Sequence, residues 1–404
     1  MPDVSDISPL GPRLTLFTAG KDSTYALGLT QALVAQGCEL DFIGCDELTP
    51  LGLPDQSRIH FLNLRGETKE HVGLGRKIRR VLVYYSRLFR YAATAQPGIF
   101  HILWVNKLEW LDQTVLMLYY RLLGKKICFT AHNVNKARRD GHDSWLNRLT
   151  LKVHYNLCSH IFVHTGKMRQ ELMADFNQPE NKISVIPLGM NVIVPITGLT
   201  GAEARQRLGL AARDKVILFF GNIAPYKGLE LLVEAFHKLA AGDADYRLVI
   251  AGSPKGPPKY WAGIQAGIAA SPVRDRILLR IEYVPEAETE WFFKAADVSV
   301  LPYRHIFQSG VLVLSYTFGL PVIAADVGSL REEIIEGKTG HVHEPGNAAD
   351  LARLLQLYFA SDLYCNLNQS REEIKGYARE KYSWAKVAAL TTAVYAELSG
   401  ATHR

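Results

Sequence analysis

Three places in this 404-residue chain set residue types that handle phosphate or sugar directly after an apolar, strand-like run. The first is Val216–Phe220, which Gly221 ends. A short loop with Asn222, Pro225 and Lys227 follows, and a helix-period stretch starts near Gly228 with Leu231, Leu232, Ala235 and Phe236 on one face. The first-turn N–H groups of a helix have no intrahelical acceptor and the dipole is positive there, so a strand, loop and helix start form an anion site. Lys227 adds a mobile cation suited to phosphate. The second place follows Val298–Leu301 and runs from Pro302 through Gln308, Ser309 and Gly310 into a helix pattern, Val311–Phe318. Ser309 suits a helix N-cap and Gly310 admits a close approach to the backbone, so the amides of Gly310, Val311 and Leu312 can hold the opposite side of a diphosphate. The third follows Lys126–Thr130 and reads Ala131-His132-Asn133, with Lys136, Arg138 and Arg139 close behind. A histidine there can bond a sugar hydroxyl or a ligand carbonyl, or act as a base near neutral pH. Each pattern has a plainer reading: a loop that only reverses the chain, an ordinary Ser-Gly helix start, a structural loop histidine.

The elements that must position these residues alternate between strand and helix signals. Strands are predicted in the first half at Leu14–Phe17, Leu40–Ile43, Ile59–Leu62, Ile99–Trp104, Lys126–Thr130, Ile161–His164 and Ile183–Pro187. In the second half they are predicted at Val216–Phe220, Tyr246–Ala251, Ile277–Ile281, Val298–Leu301 and Pro321–Ala324. Helix-period stretches lie between many of them, which argues for an α/β fold of two doubly wound parallel sheets. The expected domains are 1–190, 191–380 and a C-terminal helix, 381–404, that packs back on the first domain, with the linker at Met190–Thr200. Ligands of such sheets bind beyond the carboxyl ends of the strands, and two facing domains form a cleft. Thr18-Ala19-Gly20-Lys21-Asp22-Ser23 follows the first strand and can form a further glycine loop there. It lacks the glycine order of a Walker loop or a dinucleotide fingerprint.

The chain exceeds the ~250–300 residues at which single cores stop growing, which agrees with two domains. Five scattered cysteines without a Cys-x-x-Cys pair fit a reducing, cytoplasmic compartment. Met1–Arg13 lacks the apolar core of a signal peptide, and the most apolar helix candidate, Val115–Leu123, is too short to span a membrane and carries Arg121. The net charge of +6 sits wholly in residues 1–190, with 23 Lys and Arg against 17 Asp and Glu; residues 191–404 hold 23 of each. An excess of this kind either meets an anionic partner or is a scattered solvated charge. Within it, RKIRRVLVYYSRLFRY at 76–91 places Ile78, Val81, Leu82, Tyr85, Leu88 and Phe89 on one helical face, flanked by Arg76, Lys77, Arg80, Arg87 and Arg90, with Arg76, Lys77, Arg79 and Arg80 the candidates for an anionic surface. That helix either packs on its sheet with a solvated basic face or docks on anionic lipid. Asp243-Ala244-Asp245 precedes a strand and reads as a turn, not a metal pair.

Together these positions resemble the family-4 glycosyltransferases of the group 1 type. The likeness rests on FFGNIAPYKGLELLVEAF at 219–236, YRLVIAGSP at 246–254, AADVSVLPYRHIFQSGVLVLSYTFGLPVIAADVGSLREEI at 295–334 and GKTGHVHEPGN at 337–347. TAHNV at 130–134, FVHT at 162–165 and VIPLGMN at 185–191 extend it, while residues 1–125 match only in outline, as expected of a region that meets a variable acceptor. The resemblance implies two facing Rossmann-like domains, the GT-B arrangement, and transfer of a sugar from a nucleotide diphosphate to an acceptor hydroxyl with retention at the anomeric carbon. Lys227 matches the lysine that neutralises the donor diphosphate, and Ser309, Gly310 and Val311 match the helix start that holds its other face. His132 matches the cleft histidine near the donor sugar and acceptor, and the resemblance makes it and Lys227 the catalytic residues. Gly20, Asn222 and Gln308 are placed with the donor, and Asn133, Arg138 and Arg139 with the acceptor.

Two departures stand out. Asn222 occupies the place where the family often has an arginine, so further charge is sought from Lys21 or Arg304. The usual Glu-x7-Glu falls on Ile306 and Leu314, so the ribose contact of its second glutamate is not carried over. The resemblance implies no metal and no cofactor other than the nucleotide sugar as co-substrate. It also implies a glycan or lipid-linked acceptor; the expected location is cytoplasmic, with the basic helix as the contact to the membrane face, and no nucleic-acid partner is expected. The rival expectations are a nucleotide-sugar epimerase or hydrolase of the same fold, and a non-catalytic nucleotide-sugar-binding scaffold.

Overall fold

Runs such as KVILFF and VSVL are apolar on both faces, the pattern of strands covered on both sides, and they fold as parallel strands. The computed structural model describes residues 11–400 except 21, 51–55, 68–72, 107 and 140, and not the side chains of Leu74 and Arg139. By its contacts the chain divides into one unit of Met1–Gly189 with Ser383–Arg404, and a second of Met190–Tyr382.

The first unit is built on seven strands: β1 (Arg13–Phe17), β2 (Glu39–Gly44), β3 (Ile59–Asn63), β4 (Ile99–Ile102), β5 (Lys126–Ala131), β6 (His160–Val163) and β7 (Ile183–Val185). They are parallel in the order β3-β2-β1-β4-β5-β6-β7. The second unit has β8 (Lys215–Phe220), β9 (Tyr246–Ala251), β10 (Ile277–Arg280), β11 (Val298–Leu301), β12 (Val322–Ala325) and β13 (Gly340–His343), parallel in the order β10-β9-β8-β11-β12-β13. Strand β13, Gly-His-Val-His, is absent from the sequence reading because it lacks an apolar run; it is an edge strand that pairs only with β12. The strand order reverses between β1 and β4 and again between β8 and β11. Those switch points are where the loops leaving two neighbouring strands part to opposite faces and leave a crevice.

Helix α1 (Ser23–Ala35) follows β1, and α2 (Leu74–Thr94) follows β3. Helix α3 begins with Glu109–Leu111, passes through a π-type stretch at Asp112–Leu116 and ends with Met117–Leu122; α4 is Trp145–Leu157. The buried face of α2 overlaps the predicted one at Tyr85 and Leu88 and extends to Tyr84 and Ala92, whereas Ile78 and Leu82 are exposed. Tyr85 Oη donates to Asp112 at 2.9 Å and Tyr84 Oη to Asn106 at 2.9 Å, and these bonds hold the two tyrosines inward.

In the second unit, α5 (Leu229–Ala240) follows β8 and α6 (Gly310–Thr317) follows β11. Asp297, just before β11, accepts both guanidinium bonds of Arg205 at 2.8 and 2.9 Å and the amide of Val216 at 2.7 Å, which ties the entry of β11 to that of β8. Phe219, Leu232, Phe236, Ile250 and Val300 lie in the same buried cluster. Burial of each is worth roughly 1.5–3 kcal/mol. The last helix, α7 (Trp384–Leu398), belongs to the first unit and packs on α1. A Cβ on Gly28 of α1 would lie 2.2 Å from the Trp384 indole, and one on Gly189 would lie 2.5 Å from it. Gly28→Ala should gain about 1 kcal/mol of helix propensity and lose about 1–3 kcal/mol to overpacking against a rigid ring. A net fall in melting temperature is expected, reversed when Trp384→Leu is added; a rise in the single variant would contradict the packing.

Candidate active site

Both candidate phosphate loops of the second unit leave the strands that flank its switch point. After β8, Gly221 (φ 104°) turns the chain, and Pro225–Lys227 forms one tight turn ahead of α5, with Gly228 at φ 65° between them. A Cβ on Gly228 would stand 2.1 Å from the carbonyl oxygen of Pro302, so glycine is what lets the loop after β8 touch the loop after β11. The Arg304 amide donates to the Tyr226 carbonyl at 2.8 Å and closes the same contact.

Lys227 is buried, and its Nζ donates to Tyr303 Oη at 2.6 Å and lies 4.0 Å from the centre of that ring. Tyr303 Oη lies 3.3 Å from Ser309 Oγ, which accepts the Leu312 amide as the N-cap of α6. Since Nζ can only donate, the phenol accepts from the lysine, and either hydroxyl can donate across the Tyr303–Ser309 contact. The two loops are therefore one hydrogen-bonded unit: Lys227, Tyr303, Ser309 and the first turn of α6. A Cβ on Gly310 would meet nothing within 4 Å, and the amides of Gly310 and Val311, in the first turn of α6, have no intrahelical acceptor. Burial pushes the Tyr303 phenol up, which keeps it neutral.

Gln308 is half-buried beside this helix start, and its Oε1 is buried with no hydrogen-bond partner. A buried acceptor left without a donor costs about 1–3 kcal/mol, so this one is suited to a ligand hydroxyl. Asn222 is exposed in the first loop. Arg304 is not a spare cation: Glu230 takes it at 2.7 and 2.8 Å, and the same carboxylate accepts from Tyr260 Oη. Lys21 lies outside the described residues.

In the first unit the candidates sit at the ends of β1 and β5. Gly20 (φ 63°) stands between Ala19 (φ 51°) and Asp22 (φ 39°), and Asp22 caps α1 by accepting from the Tyr25 amide at 3.1 Å. Left-handed backbone at two non-glycine residues is strain held in place by its surroundings; Arg65 donates to the Ala19 carbonyl from above. His132 lies flat on Trp104 with ring centres 4.4 Å apart, edge-on to Tyr25, and its Nδ1 is 3.1 Å from His164 Nε2. His164 Nδ1 lies 3.2 Å from the Ile186 carbonyl.

That carbonyl can only accept, so His164 carries its proton on Nδ1 and offers a lone pair at Nε2. His132 must then donate from Nδ1, and its own Nε2 is left as a buried lone pair with no partner. Burial holds both rings neutral: it pushes His164 down to about 4 and His132 well below the ordinary range, where the neighbouring His164 adds to the effect. Of the roles open in the sequence, the network selects an acceptor of a hydroxyl hydrogen. Of the acceptor candidates, Arg138 is already engaged by Asp175 at 2.9 Å and Glu171 at 3.5 Å, Asn133 is half-buried, and the side chain of Arg139 lies outside the described residues. Trp104, His164 and Tyr303 were not among the candidates, although each follows directly on a strand or its pairing neighbour. Among the described residues no three His, Cys, Asp or Glu side chains converge as a metal site requires.

Residues 201–381 match the family model described as glycosyl transferases group 1, and residues 23–193 match that of glycosyltransferase family 4. The chain is 28% identical over 337 residues to the D-inositol 3-phosphate glycosyltransferase of Thermobispora bispora, covering 80% of this chain and 76% of the relative. To that of Jonesia denitrificans it is 26% identical over 404 residues, covering 93% and 91%. Among solved structures it is similar to the sucrose-phosphate synthase of Thermosynechococcus elongatus (TM-score 0.76, 18% identity, 97% of this chain and 100% of that one). It is also similar to Anabaena Alr3699/HepE in complex with UDP (TM-score 0.73, 14% identity, 96% and 100%).

Proposed function

The chain belongs to the group 1, family 4 glycosyltransferases, and from that premise we propose that it moves a sugar from a nucleotide diphosphate to a hydroxyl of a glycan or lipid-linked acceptor, with retention at the anomeric carbon. The observation that carries the reading is the chain Lys227–Tyr303–Ser309, which joins a buried cation to the N-terminus of α6 at a switch point. As the glycosidic bond breaks, negative charge builds on the leaving diphosphate. A cation and first-turn amides already fixed toward that charge stabilise the transition state without reorganising. The leaving phosphate then serves as base for the incoming hydroxyl on the same face, which supports retention and accounts for a site without a carboxylate pair. In the second unit Gln308 Oε1 accepts from a hydroxyl of the donor sugar; in the first unit His132 Nε2 is a lone pair suited to a ligand hydroxyl. The same reading puts a peripheral contact with an anionic bilayer on α2, through Arg76, Lys77, Arg79 and Arg80.

A uridine diphosphate sugar is the first donor to test, because Alr3699/HepE has been solved with UDP and with UDP-glucose; D-inositol 3-phosphate joins the acceptor panel from the names of the relatives. The experiment is a melting-temperature screen against nucleotide sugars, followed by product analysis of the donor that stabilises. A new glycoside with the donor's anomeric configuration supports the proposal. Donor consumption without an acceptor would point to a hydrolase or epimerase, and binding without turnover under every acceptor to a scaffold. We also propose that transfer needs no bound metal: chelation with EDTA should change the rate by less than about twofold.

His164 acts through His132 as a positioning residue. His164→Phe removes the acceptor that fixes the His132 tautomer, so kcat/KM should fall about 10- to 100-fold while the donor-induced melting shift persists. An unchanged rate would remove the tautomer from the mechanism.

A further inference from the structure

We propose that α3 and α4 complete, with α2, an apolar and basic face that inserts into the interfacial layer of an anionic lipid bilayer; this rests on the reading of α2 as a bilayer contact. The three helices lie side by side. Tyr119 Oη of α3 donates to the Phe89 carbonyl of α2 at 3.2 Å, their rings stand 4.9 Å apart, and α4 packs on α3.

Their outward side chains are large and apolar. Leu82 of α2 is 65% exposed, Trp110 and Leu122 of α3 are 61% and 77% exposed, and Trp145 of α4 is 76% exposed. The π-type stretch is what aligns α3. Its five-residue spacing carries the stripe from Trp110 to Val115, and normal α spacing then carries it on to Leu118 and Leu122. The same stretch turns Asp112 inward, where Tyr85 and the Asn106 amide hold it, and so removes an acid from the outer face. An exposed apolar stripe of this length on a folded domain marks a contact surface.

The charges choose the occupant. Helix α2 carries six Lys or Arg and no acid, α4 carries Arg148 and Lys152 and no acid, and α3 carries Arg121 against Glu109 and the buried Asp112. Arg80 and Arg148 are partly spent on Glu67 and Asp143, whereas Arg76, Lys77 and Arg79 are exposed and take no ion pair among the described residues. Tryptophan and leucine interleaved with cations on exposed helices suit the headgroup boundary of an acidic bilayer. The face is proposed to lie on the bilayer: among the described residues no helix is long and apolar enough to cross one.

The test uses the full chain and vesicles of phosphatidylcholine with or without about one third phosphatidylglycerol. The wild type should sediment with the acidic vesicles only. The triple variant Trp110→Ser, Leu118→Ser, Leu122→Ser should bind them about tenfold less, with an unchanged melting shift on adding the donor nucleotide. If that variant binds as the wild type does while Arg76→Glu with Arg79→Glu does not, the contact is electrostatic alone; the α2 reading then survives and insertion is overturned. If the wild type binds no vesicle and instead forms a concentration-dependent dimer that the triple variant loses, a second copy covers the face and the proposal falls. Failure of the transferase reading shows separately, as absent donor binding in the wild type.

Discussion

Lys227→Ala is expected to lower kcat/KM by about 10²–10³-fold while leaving the melting temperature nearly unchanged. The size follows from what is removed: one preorganised, buried charge aimed at a developing oxyanion. Asn222 supplies no charge and Arg304 is neutralised by Glu230, so no cation among the described residues of these two loops stands ready to substitute. Stability should move little because a buried ammonium is costly to desolvate, and its loss leaves Tyr303 still bonded to Ser309. Lys227→Met, closer in volume, should lose activity to the same extent, which separates charge from packing. If either variant kept wild-type turnover, the diphosphate assignment would fail, and with it the role given to the first turn of α6.

How much of this was legible depended on whether the physics was local. Strands β8 and β11 are continuous apolar runs that end at a glycine or proline, and the residues right after them are the ones that meet at the switch point. Strand β13 was not legible, because an edge strand of glycine, valine and two histidines draws its stability from β12 and not from its own burial. The face of α2 was read only in part for a related reason. Periodicity puts Ile78 and Leu82 on one broad face with Tyr85 and Leu88, and which part of it is held inward depends on Asp112, 27 residues away from Tyr85 in sequence. The site shows the same division. Lys227 and Ser309 carry signatures in their own loops, whereas Tyr303, which joins them, and Trp104 and His164, which fix His132, act across strands. Nor could Arg304 be discounted as a cation before Glu230 was seen beside it, 74 residues earlier in the chain.

The largest stability effect expected is an acid transition of the first unit well above the range where carboxylates titrate. Burial pushes His101 and His154 each down to about 3 and His164 to about 4, against an ordinary 6.5. His101 is locked between Tyr395 Oη at 2.5 Å and Thr130 Oγ1 at 2.8 Å. Neither ring nitrogen of His154 has a partner, and the ring stands edge-on to Phe129 at 4.4 Å. The unfolded chain therefore binds protons below pH ~6.5 that the folded chain refuses, so stability rises with pH through this window and is lost as pH falls. At pH ~5 each of the three contributes about 2 kcal/mol against folding, or about 6 kcal/mol together, comparable to the ~5–15 kcal/mol that holds a typical domain. Thermal melts followed by near-ultraviolet circular dichroism should be flat between pH ~8 and 7 and then drop by about 10–20 °C by pH ~5, the first unit opening before the second. His154→Leu should flatten that slope by about a fifth, since it removes one of five first-unit histidines that burial lowers, His132 and His160 being the other two, and leaves an apolar side chain facing Phe129. A melting temperature constant down to pH ~5 would mean that these rings reach water in the native state. The neutral relay from Ile186 through His164 to His132 would then lose its basis as well, because it needs the same burial.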